Sequence, residues 1–154
     1  MSFPGSCGCG AVGFEYDSTV APPLFSALCH CRSCRLGVPG VAVHILGIPK
    51  PAFKITKGED NLVEWNASES SARFFCKTCG TRVIQGPKGG PFYGTFPTLY
   101  EVGRSEPAPA LPESFAPKVH AWFSHATAPE LFKNDGLPKF KDFPKEMGGT
   151  GEMM

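Results

Sequence analysis

Seven cysteines are the residues of this chain best suited to chemistry, and they fall into three closely spaced groups. They form a C-x-C pair, a C-x-C-x-x-C cluster and a C-x-x-C pair: Cys7 and Cys9; Cys29, Cys31 and Cys34; Cys76 and Cys79. Thiolates at such short spacings are typical ligands of Zn²⁺. The cysteine pattern therefore predicts that the chain binds metal.

A disulfide framework and a redox-active C-x-x-C motif are the two alternatives. The cysteine count is odd, nothing in the sequence predicts export, and cysteines one residue apart can bridge only with strain. A thioredoxin-like motif opens a helix, whereas the segment from Cys76 to Gly80 lies between two strand-like runs. A C-x-x-C-G turn between strands is typical of a zinc knuckle, so the pattern favours zinc over both alternatives.

Seven cysteine ligands divide most naturally into four and three. A structural zinc ion takes a closed tetrahedron of four ligands, whereas a catalytic zinc ion keeps one position open. The C-x-C-x-x-C cluster can surround one ion within six residues, which leaves the two pairs to form a four-sulfur structural site. The spacing does not prove this partition, but the partition uses every cysteine and predicts two zinc ions.

Charged and imidazole side chains near the cysteines are further candidates for the site. Arginines and lysines that could offset the negative charge of metal thiolates lie close to cysteines, although ordinary solvated side chains would give the same pattern: Arg32, Arg35, Arg73, Lys77 and Arg82. Arg35 is the candidate for attracting an anionic thiol substrate. His30 stands between two predicted ligands and is expected to point away from both sulfurs, whereas His120 is a candidate to face the open zinc position.

Glycine and proline punctuate the chain too often for long helices, with 18 Gly and 16 Pro in 154 residues. The sequence therefore predicts an all-β protein with one domain over residues 1–146 and a flexible, glycine-rich tail over residues 147–154. An extended connection is predicted over residues 106–117, which hold four prolines. Nine short segments have strand composition: Ala11–Tyr16, Leu24–Leu28, Val41–Leu46, Phe53–Thr56, Leu62–Trp65, Arg73–Cys76, Thr81–Ile84, Phe92–Phe96 and Val119–Phe123.

Net charge and hydropathy narrow the classes of partner. A formal net charge of +1 without a basic stripe argues against nucleic-acid binding. No apolar run approaches the length of a membrane span, and the N-terminus has no signal-peptide pattern, so a cytoplasmic protein without a membrane partner is expected. The sequence is compatible with an oligomer and does not predict one.

Four segments carry a resemblance to a known family. The chain resembles the glutathione-dependent formaldehyde-activating enzyme family, which also includes centromere protein V. Three of the segments contain the cysteine groups with their neighbouring glycines and arginines: residues 5–12, 29–35 and 75–81. A fourth, Asp135-Gly136-Leu137-Pro138-Lys139-Phe140, resembles that family's closing motif. The resemblance extends from about residue 5 to residue 142.

The resemblance implies a β-tent fold of antiparallel sheets with a structural and a catalytic zinc ion. The structural ion would be bound by Cys7, Cys9, Cys76 and Cys79, and the catalytic ion by Cys29, Cys31 and Cys34. The implied activity is that of a carbon–sulfur lyase, in which the thiol of glutathione adds to formaldehyde and gives S-(hydroxymethyl)glutathione.

The chain departs from the family pattern in two stretches that could contact the substrate, residues 36–40 and 128–132. A non-catalytic zinc-binding β-tent module for a protein or chromatin partner is therefore the alternative function. Centromere protein V carries a basic extension, whereas the last eight residues here are glycine-rich and contain no lysine or arginine. That difference is a further argument against a nucleic-acid partner.

Overall fold

The computed structural model describes residues 1–107 and 110–154. Within these residues the regular structure consists of ten β-strands, one short α-helix and several 3-10 turns. The helix is α1 (Arg32–Gly37), and the strands are β1 (Ser2–Ser6), β2 (Gly13–Asp17), β3 (Phe25–Cys29), β4 (Val43–Pro49), β5 (Phe53–Lys57), β6 (Leu62–Asn66), β7 (Ser71–Cys76), β8 (Arg82–Pro87), β9 (Phe92–Thr95) and β10 (Val119–Ala121). The prediction of an all-β protein is confirmed.

All nine predicted strands overlap strands of the structure, with small shifts at their ends. The additional strand is β1, whose Pro4 and Gly5 argue against a strand in the sequence. It lies at the edge of its sheet, where proline is tolerated because no neighbouring strand needs its N–H. Ala108 and Pro109, in the connection predicted to be extended, lie outside the described residues. No helix within the described ranges has the length and hydrophobicity of a membrane span.

The first of two compact units comprises Met1–Leu24 and Leu46–Phe115. It contains a three-stranded antiparallel sheet in the order β1-β2-β5, together with antiparallel strands in the order β4-β9-β8-β7-β6. The pairing of β7 with β8 shifts register between Phe74 and Phe75. This irregularity directly precedes Cys76, the last residue of β7.

Aromatic side chains form the core of the first unit. In β2, Phe14 and Tyr16 are buried and alternate with the half-exposed Glu15, as expected for a strand with one face on a core. The Tyr100 ring lies 5.1 Å from the Phe14 ring, and each such buried ring contributes about 1.5–3 kcal/mol through removal of apolar surface from water. Cys7 and Cys76 belong to the same buried cluster, so two of the predicted ligands are anchored in this core.

The second unit comprises Phe25–Ile45 and Ala116–Met154. Its strands lie in the order β10-β3-β4, and only residues 43–45 of β4 belong to this unit. Strand β10 pairs with β3 in parallel, with Ala121 opposite Cys29. The other strand pairs of known register, including both pairs of the β1-β2-β5 sheet, are antiparallel.

The end of the chain is hydrogen-bonded within the second unit. The Lys141 N–H donates to the Glu152 carbonyl at 2.8 Å, and the Met154 N–H donates to the Lys139 carbonyl at 2.9 Å. The flexible tail and the single domain over residues 1–146 both stay predictions.

Candidate functional site

Four cysteine sulfurs of the first unit converge on one point. The four-sulfur group (Cys7, Cys9, Cys76 and Cys79) has all its Sγ atoms within 4.8 Å of one another. The Sγ atom of Cys9 lies 3.7 Å from that of Cys7 and 3.9 Å from that of Cys76. A tetrahedron with zinc–sulfur bonds of about 2.3 Å has sulfur–sulfur edges of about 3.8 Å, whereas a disulfide bond measures about 2.05 Å. The spacing therefore fits a tetrahedral zinc ion, and all four cysteines are free thiols.

The turn between β7 and β8 presents two of these sulfurs. The Cys76 N–H donates to the Thr81 carbonyl at 3.0 Å, and the Gly80 N–H donates back to the Cys76 carbonyl at 2.8 Å. Gly80 has φ +77°, a left-handed conformation that costs glycine little and most other residues about 1–2 kcal/mol. Glycine at this position thus allows the tight turn that brings Cys79 next to Cys76.

Hydrogen-bond donors point at the two buried sulfurs of the four-sulfur group. The Val12 main-chain N–H donates to Cys7 Sγ at 3.3 Å, and Asn61 Nδ2 donates to Cys76 Sγ at 3.1 Å. Both cysteines have no exposed surface. Sulfurs held in place by N–H donors in this way are positioned to act as metal ligands.

Cys79 is exposed, and its sulfur lies 3.1 Å from Thr81 Oγ1. Hydrogen bonding to Thr81 lowers the pKa of the Cys79 thiol to about 5. The same hydroxyl oxygen accepts a hydrogen bond from the Gly8 N–H at 3.0 Å. Thr81 therefore links the two cysteine pairs while favouring a thiolate at Cys79.

Three further sulfurs converge in the second unit. The three-sulfur group (Cys29, Cys31 and Cys34) has its Sγ atoms within 4.8 Å of one another. Cys29 ends β3, Cys31 is the N-cap of α1, and Cys34 lies in the first turn of that helix. The Cys34 N–H donates to Cys31 Sγ at 3.3 Å, so the cysteine side chain replaces the oxygen that usually caps a helix.

The three-sulfur group is crowded and mostly buried. Cys29 is 3% exposed and Cys34 is 6% exposed. Hydrogen bonding to Cys31 and Cys34, together with burial, raises the pKa of Cys29 far above its ordinary value. Several thiols packed in this way cannot all ionise unless a cation balances their charge, so the donor set fits a bound metal ion such as zinc.

Two histidines and a carboxylate form a hydrogen-bonded series in the same unit as the three-sulfur group. His30 Nε2 is 2.8 Å from His120 Nδ1, and His120 Nε2 is 2.6 Å from Asp135 Oδ2. Both imidazole rings have no exposed surface, and burial with the nearby His120 lowers the pKa of His30 to about 4. Partial burial acts to raise the pKa of Asp135, but hydrogen bonds from Lys139 and His120 outweigh it and hold that pKa below its ordinary value.

Arg35, predicted to attract the substrate, and His120, predicted to face the open zinc position, both have partners within the second unit. Arg35 Nε donates to the His30 carbonyl at 2.8 Å. Both ring nitrogens of His120 are engaged, one by His30 and one by Asp135. The roles predicted for Arg35 at the substrate and for His120 at the open zinc position stay predictions.

Nothing in the sequence indicates that His30, His120 and Asp135 are in contact. Asp135 opens the closing motif of the resembled family, but a motif does not reveal which distant side chain it contacts. The unusual density of aromatic and imidazole residues from His120 to His125 was the available signal.

Comparisons with known proteins concern the fold and the family of the chain. No match to a curated protein was found. Three chains of solved structures match, and one of them is the crystal structure of a Rhodobacter sphaeroides protein. It is 21% identical, has a TM-score of 0.54, and the match covers 71% of this chain and 97% of that one, a likeness that shows the fold alone. A family model described as glutathione-dependent formaldehyde-activating enzyme matches residues 2–125. Because that match spans most of the chain and all seven cysteines, the protein belongs to the glutathione-dependent formaldehyde-activating enzyme family.

Proposed function

We propose that this protein is a zinc-dependent carbon–sulfur lyase that joins glutathione and formaldehyde into S-(hydroxymethyl)glutathione. The observation that carries the proposal is the convergence of the Cys29, Cys31 and Cys34 sulfurs within 4.8 Å. Four other cysteines form a group of their own, so these three are available for chemistry. Membership of the family supports glutathione and formaldehyde as the substrate pair.

The metal ligands follow from the two sulfur groups. The four-sulfur group would hold a structural zinc ion, and the three-sulfur group would hold a second one. A zinc ion on three protein thiolates keeps one position for an external ligand and lowers the pKa of a thiol that takes it. The β-tent architecture implied by the family would place the structural ion between distant parts of the chain.

The reaction is an addition that needs no oxidant or reductant. The glutathione sulfur bonds to the formaldehyde carbon, the π bond of the carbonyl breaks, and the thiol proton ends on the oxygen. Burial of Cys29 and Cys34 keeps water away from two of the three sulfurs. Exclusion of water strengthens the electrostatic interactions that position a charged substrate.

Arg35 is the proposed contact for a carboxylate of glutathione. Its Nε is fixed on the His30 carbonyl at 2.8 Å, one residue from both Cys29 and Cys31. A guanidinium carries five N–H donors, so this single bond leaves others that can bind a carboxylate. The side chain is half-buried, which limits the conformational entropy lost on binding.

The test compares Cys31→Ser with Ser33→Ala, an exposed neighbour in the same helix. Zinc per chain is measured together with the NMR exchange rate between free glutathione and its formaldehyde adduct. The unmodified protein and Ser33→Ala should bind two zinc ions and accelerate exchange. Cys31→Ser should stay folded, bind one zinc ion and lose the acceleration, because serine keeps the N-cap but not the thiolate.

Two results would overturn the proposal. Full activity in Cys31→Ser would exclude the three-sulfur group as the reaction site. Two zinc ions in the unmodified protein without faster exchange would favour a non-catalytic zinc module that binds a partner.

A further inference from the structure

The hydrogen-bonded series His30–His120–Asp135 connects three separate segments of the second unit. His30 lies between β3 and α1, His120 lies in β10, and Asp135 belongs to the segment after the match to the family model ends at residue 125. The nitrogen and oxygen atoms pair one after another at 2.8 and 2.6 Å. A metal site would need them to converge on one point, and among the described residues only the two cysteine groups converge in that way. The series therefore has a different role from metal binding.

The direction of one hydrogen bond in the series is fixed by chemistry. An ionised carboxylate can only accept, so His120 Nε2 must carry a proton that faces Asp135 Oδ2. The other carboxylate oxygen, Oδ1, accepts from Lys139 Nζ at 2.9 Å and from the Leu137 N–H at 3.1 Å. Asp135 is thus an acceptor for three donors on its two oxygens.

Aromatic rings enclose the two histidines. The Phe123 and Phe132 rings meet the His30 ring edge to face, each with its centroid 5.0 Å away. The same two rings lie 5.3 and 5.0 Å from the His120 ring. Because neither histidine is exposed, water does not compete for their hydrogen bonds, which are stronger in such surroundings.

Trp122 directly precedes Phe123 and caps the 3-10 helix that Phe123 begins. Its φ of +54° is left-handed, and it is the one non-glycine residue with positive φ within the described ranges. This conformation costs a bulky residue about 1–2 kcal/mol, so surrounding interactions must hold it. The Trp122 N–H donates to the Asp142 carbonyl at 2.8 Å, and its ring packs against His125 and Phe143.

The main chain of His30 is fixed as firmly as its ring. Its N–H donates to the Ala121 carbonyl at 3.0 Å, and its carbonyl accepts from Arg35 Nε at 2.8 Å. The residue is bonded to both Cys29 and Cys31, so fixing its ring and main chain fixes where those two sulfurs point. In metal sites, mutation of residues that orient the ligands commonly lowers metal affinity by about 10–100-fold.

We propose that Asp135 and His120 are positioning residues that, through His30, hold Cys29 and Cys31 in the arrangement that binds metal and substrate thiol. The segment after residue 125 is then part of the reaction site although it supplies no ligand. The identity of the substrate in this inference rests on the proposed function. The metal affinity that tests the inference does not depend on that function.

The test is the substitution Asp135→Asn, with Asp142→Asn as the matched control. An amide has one accepting oxygen, so Asn at position 135 must turn its NH₂ group either toward His120 or toward Lys139 and Leu137, where donors already point. Asp142 is a partly buried carboxylate of the same unit that accepts hydrogen bonds from Thr150. It makes no hydrogen bond to the two histidines.

Each protein is loaded with Co²⁺ during expression, and the affinity of each sulfur group is measured by chelator competition from its thiolate absorption bands. Asp135→Asn should weaken Co²⁺ at the three-sulfur group by about 10–100-fold and leave the four-sulfur group unchanged. In Asp142→Asn both groups should keep their affinity. In ¹⁵N NMR, His120 Nε2 should carry a proton in the unmodified protein.

Unchanged Co²⁺ affinity at the three-sulfur group of Asp135→Asn, or an unprotonated His120 Nε2 in the unmodified protein, would overturn the inference. If Asp135→Asn does not fold, Lys139→Met takes its place, because it keeps the carboxylate and removes one donor. That variant should lose several-fold in affinity, and no loss would also count against the inference. Suppose that Asp135→Asn binds Co²⁺ more weakly while the unmodified protein has no glutathione–formaldehyde activity. That result would support the positioning role and refute the proposed function.

Discussion

The two sulfur groups show opposite ways of building a thiol cluster. The four-sulfur group joins cysteines from distant parts of the chain, such as Cys9 and Cys76, which are 67 positions apart. The three-sulfur group lies within six consecutive residues at the end of a strand and the first turn of a helix. Cross-linking distant positions restricts the unfolded chain far more than cross-linking neighbours. The first group is therefore suited to stabilising the fold, and the second to chemistry.

The two sulfur groups also differ in where the hydrogen-bond donors to their sulfurs lie along the chain. In the four-sulfur group Asn61, from a separate segment of the first unit, donates to Cys76, while Val12 and Thr81, which follow the cysteines closely along the chain, contact Cys7 and Cys79. In the three-sulfur group Cys31 accepts from Cys34, within the group itself. Support from outside reaches the three-sulfur group through the main chain and ring of His30. The comparison teaches that a local cluster still depends on distant residues for its orientation.

Loss of one cysteine ligand should distinguish the structural role of the four-sulfur group from the role of the three-sulfur group most clearly. Cys76→Ser should abolish cooperative unfolding, because a structural zinc ion contributes on the order of 10–16 kcal/mol of apparent binding free energy, while whole domains are stable by about 5–15 kcal/mol. Circular dichroism during thermal unfolding measures the effect. Cys31→Ser, the control from the three-sulfur group, should keep a transition close to that of the unmodified protein. A folded, cooperative Cys76→Ser would mean that the four-sulfur group is not structural.

Removal of metal should proceed in two stages. A chelator of moderate strength should first extract about one zinc ion per chain with loss of activity and no change in circular dichroism, because the open position gives it access. The second ion should leave only with unfolding. Zinc release is followed with a colorimetric indicator beside the circular dichroism signal. Release of both ions in one step, together with unfolding, would contradict the division between the two groups.

Loss of the Asn61 side chain should have a smaller effect on the four-sulfur group. Asn61→Ala removes the N–H bond to Cys76 Sγ at 3.1 Å and should weaken metal at that group by about 10–100-fold. Chelator competition measures the affinity. Asp60→Ala, in the exposed neighbouring position of the same turn, is the control and should have the affinity of the unmodified protein. Equal affinities for the two variants would show that the donor does not act on the metal site.

Loss of the Thr81 hydroxyl should have the smallest effect. Thr81→Val keeps the shape of the side chain but removes the contact with the exposed Cys79 sulfur, a hydrogen bond worth about 0.5–1.5 kcal/mol. We expect metal affinity at the four-sulfur group to fall by about 2- to 10-fold in the same competition assay. Thr81→Ser, which keeps the hydroxyl, should restore it. Failure of Thr81→Ser to restore affinity would assign the effect to packing.

Local features of the fold were predictable from the sequence. Strands such as β2 were recognised because apolar side chains alternate with polar ones, and the cysteine groups were recognised because ligand spacing is short. The β1 strand was missed because its Pro4 and Gly5 disfavour strands, and its edge position becomes visible only in the sheet. Gly5 is also needed where β1 meets β2, since a Cβ atom there would lie 2.4 Å from the Phe14 ring.

Apart from the shared site of the two cysteine pairs, which the ligand count indicated, contacts between distant segments were not predictable. The sequence makes His120 a candidate to face the open zinc position, which stays a prediction, and it does not indicate that the ring contacts His30 and Asp135. The strand predicted over residues 119–123 ends at Ala121, because Trp122 adopts a left-handed conformation. A tryptophan side chain does not favour that conformation, so the sequence does not predict it. Such features depend on how distant segments pack together, and this packing cannot be read from a single sequence.

The separation of 90 positions between His30 and His120 has a consequence for biosynthesis. Ribosomes release the chain from its N-terminus, so Cys29, Cys31 and Cys34 leave the exit tunnel well before the residues that orient them. During that interval the thiols can meet a metal ion or an oxidant without their final support. Supply of zinc during translation should therefore influence the yield of active protein more than zinc added to the finished chain.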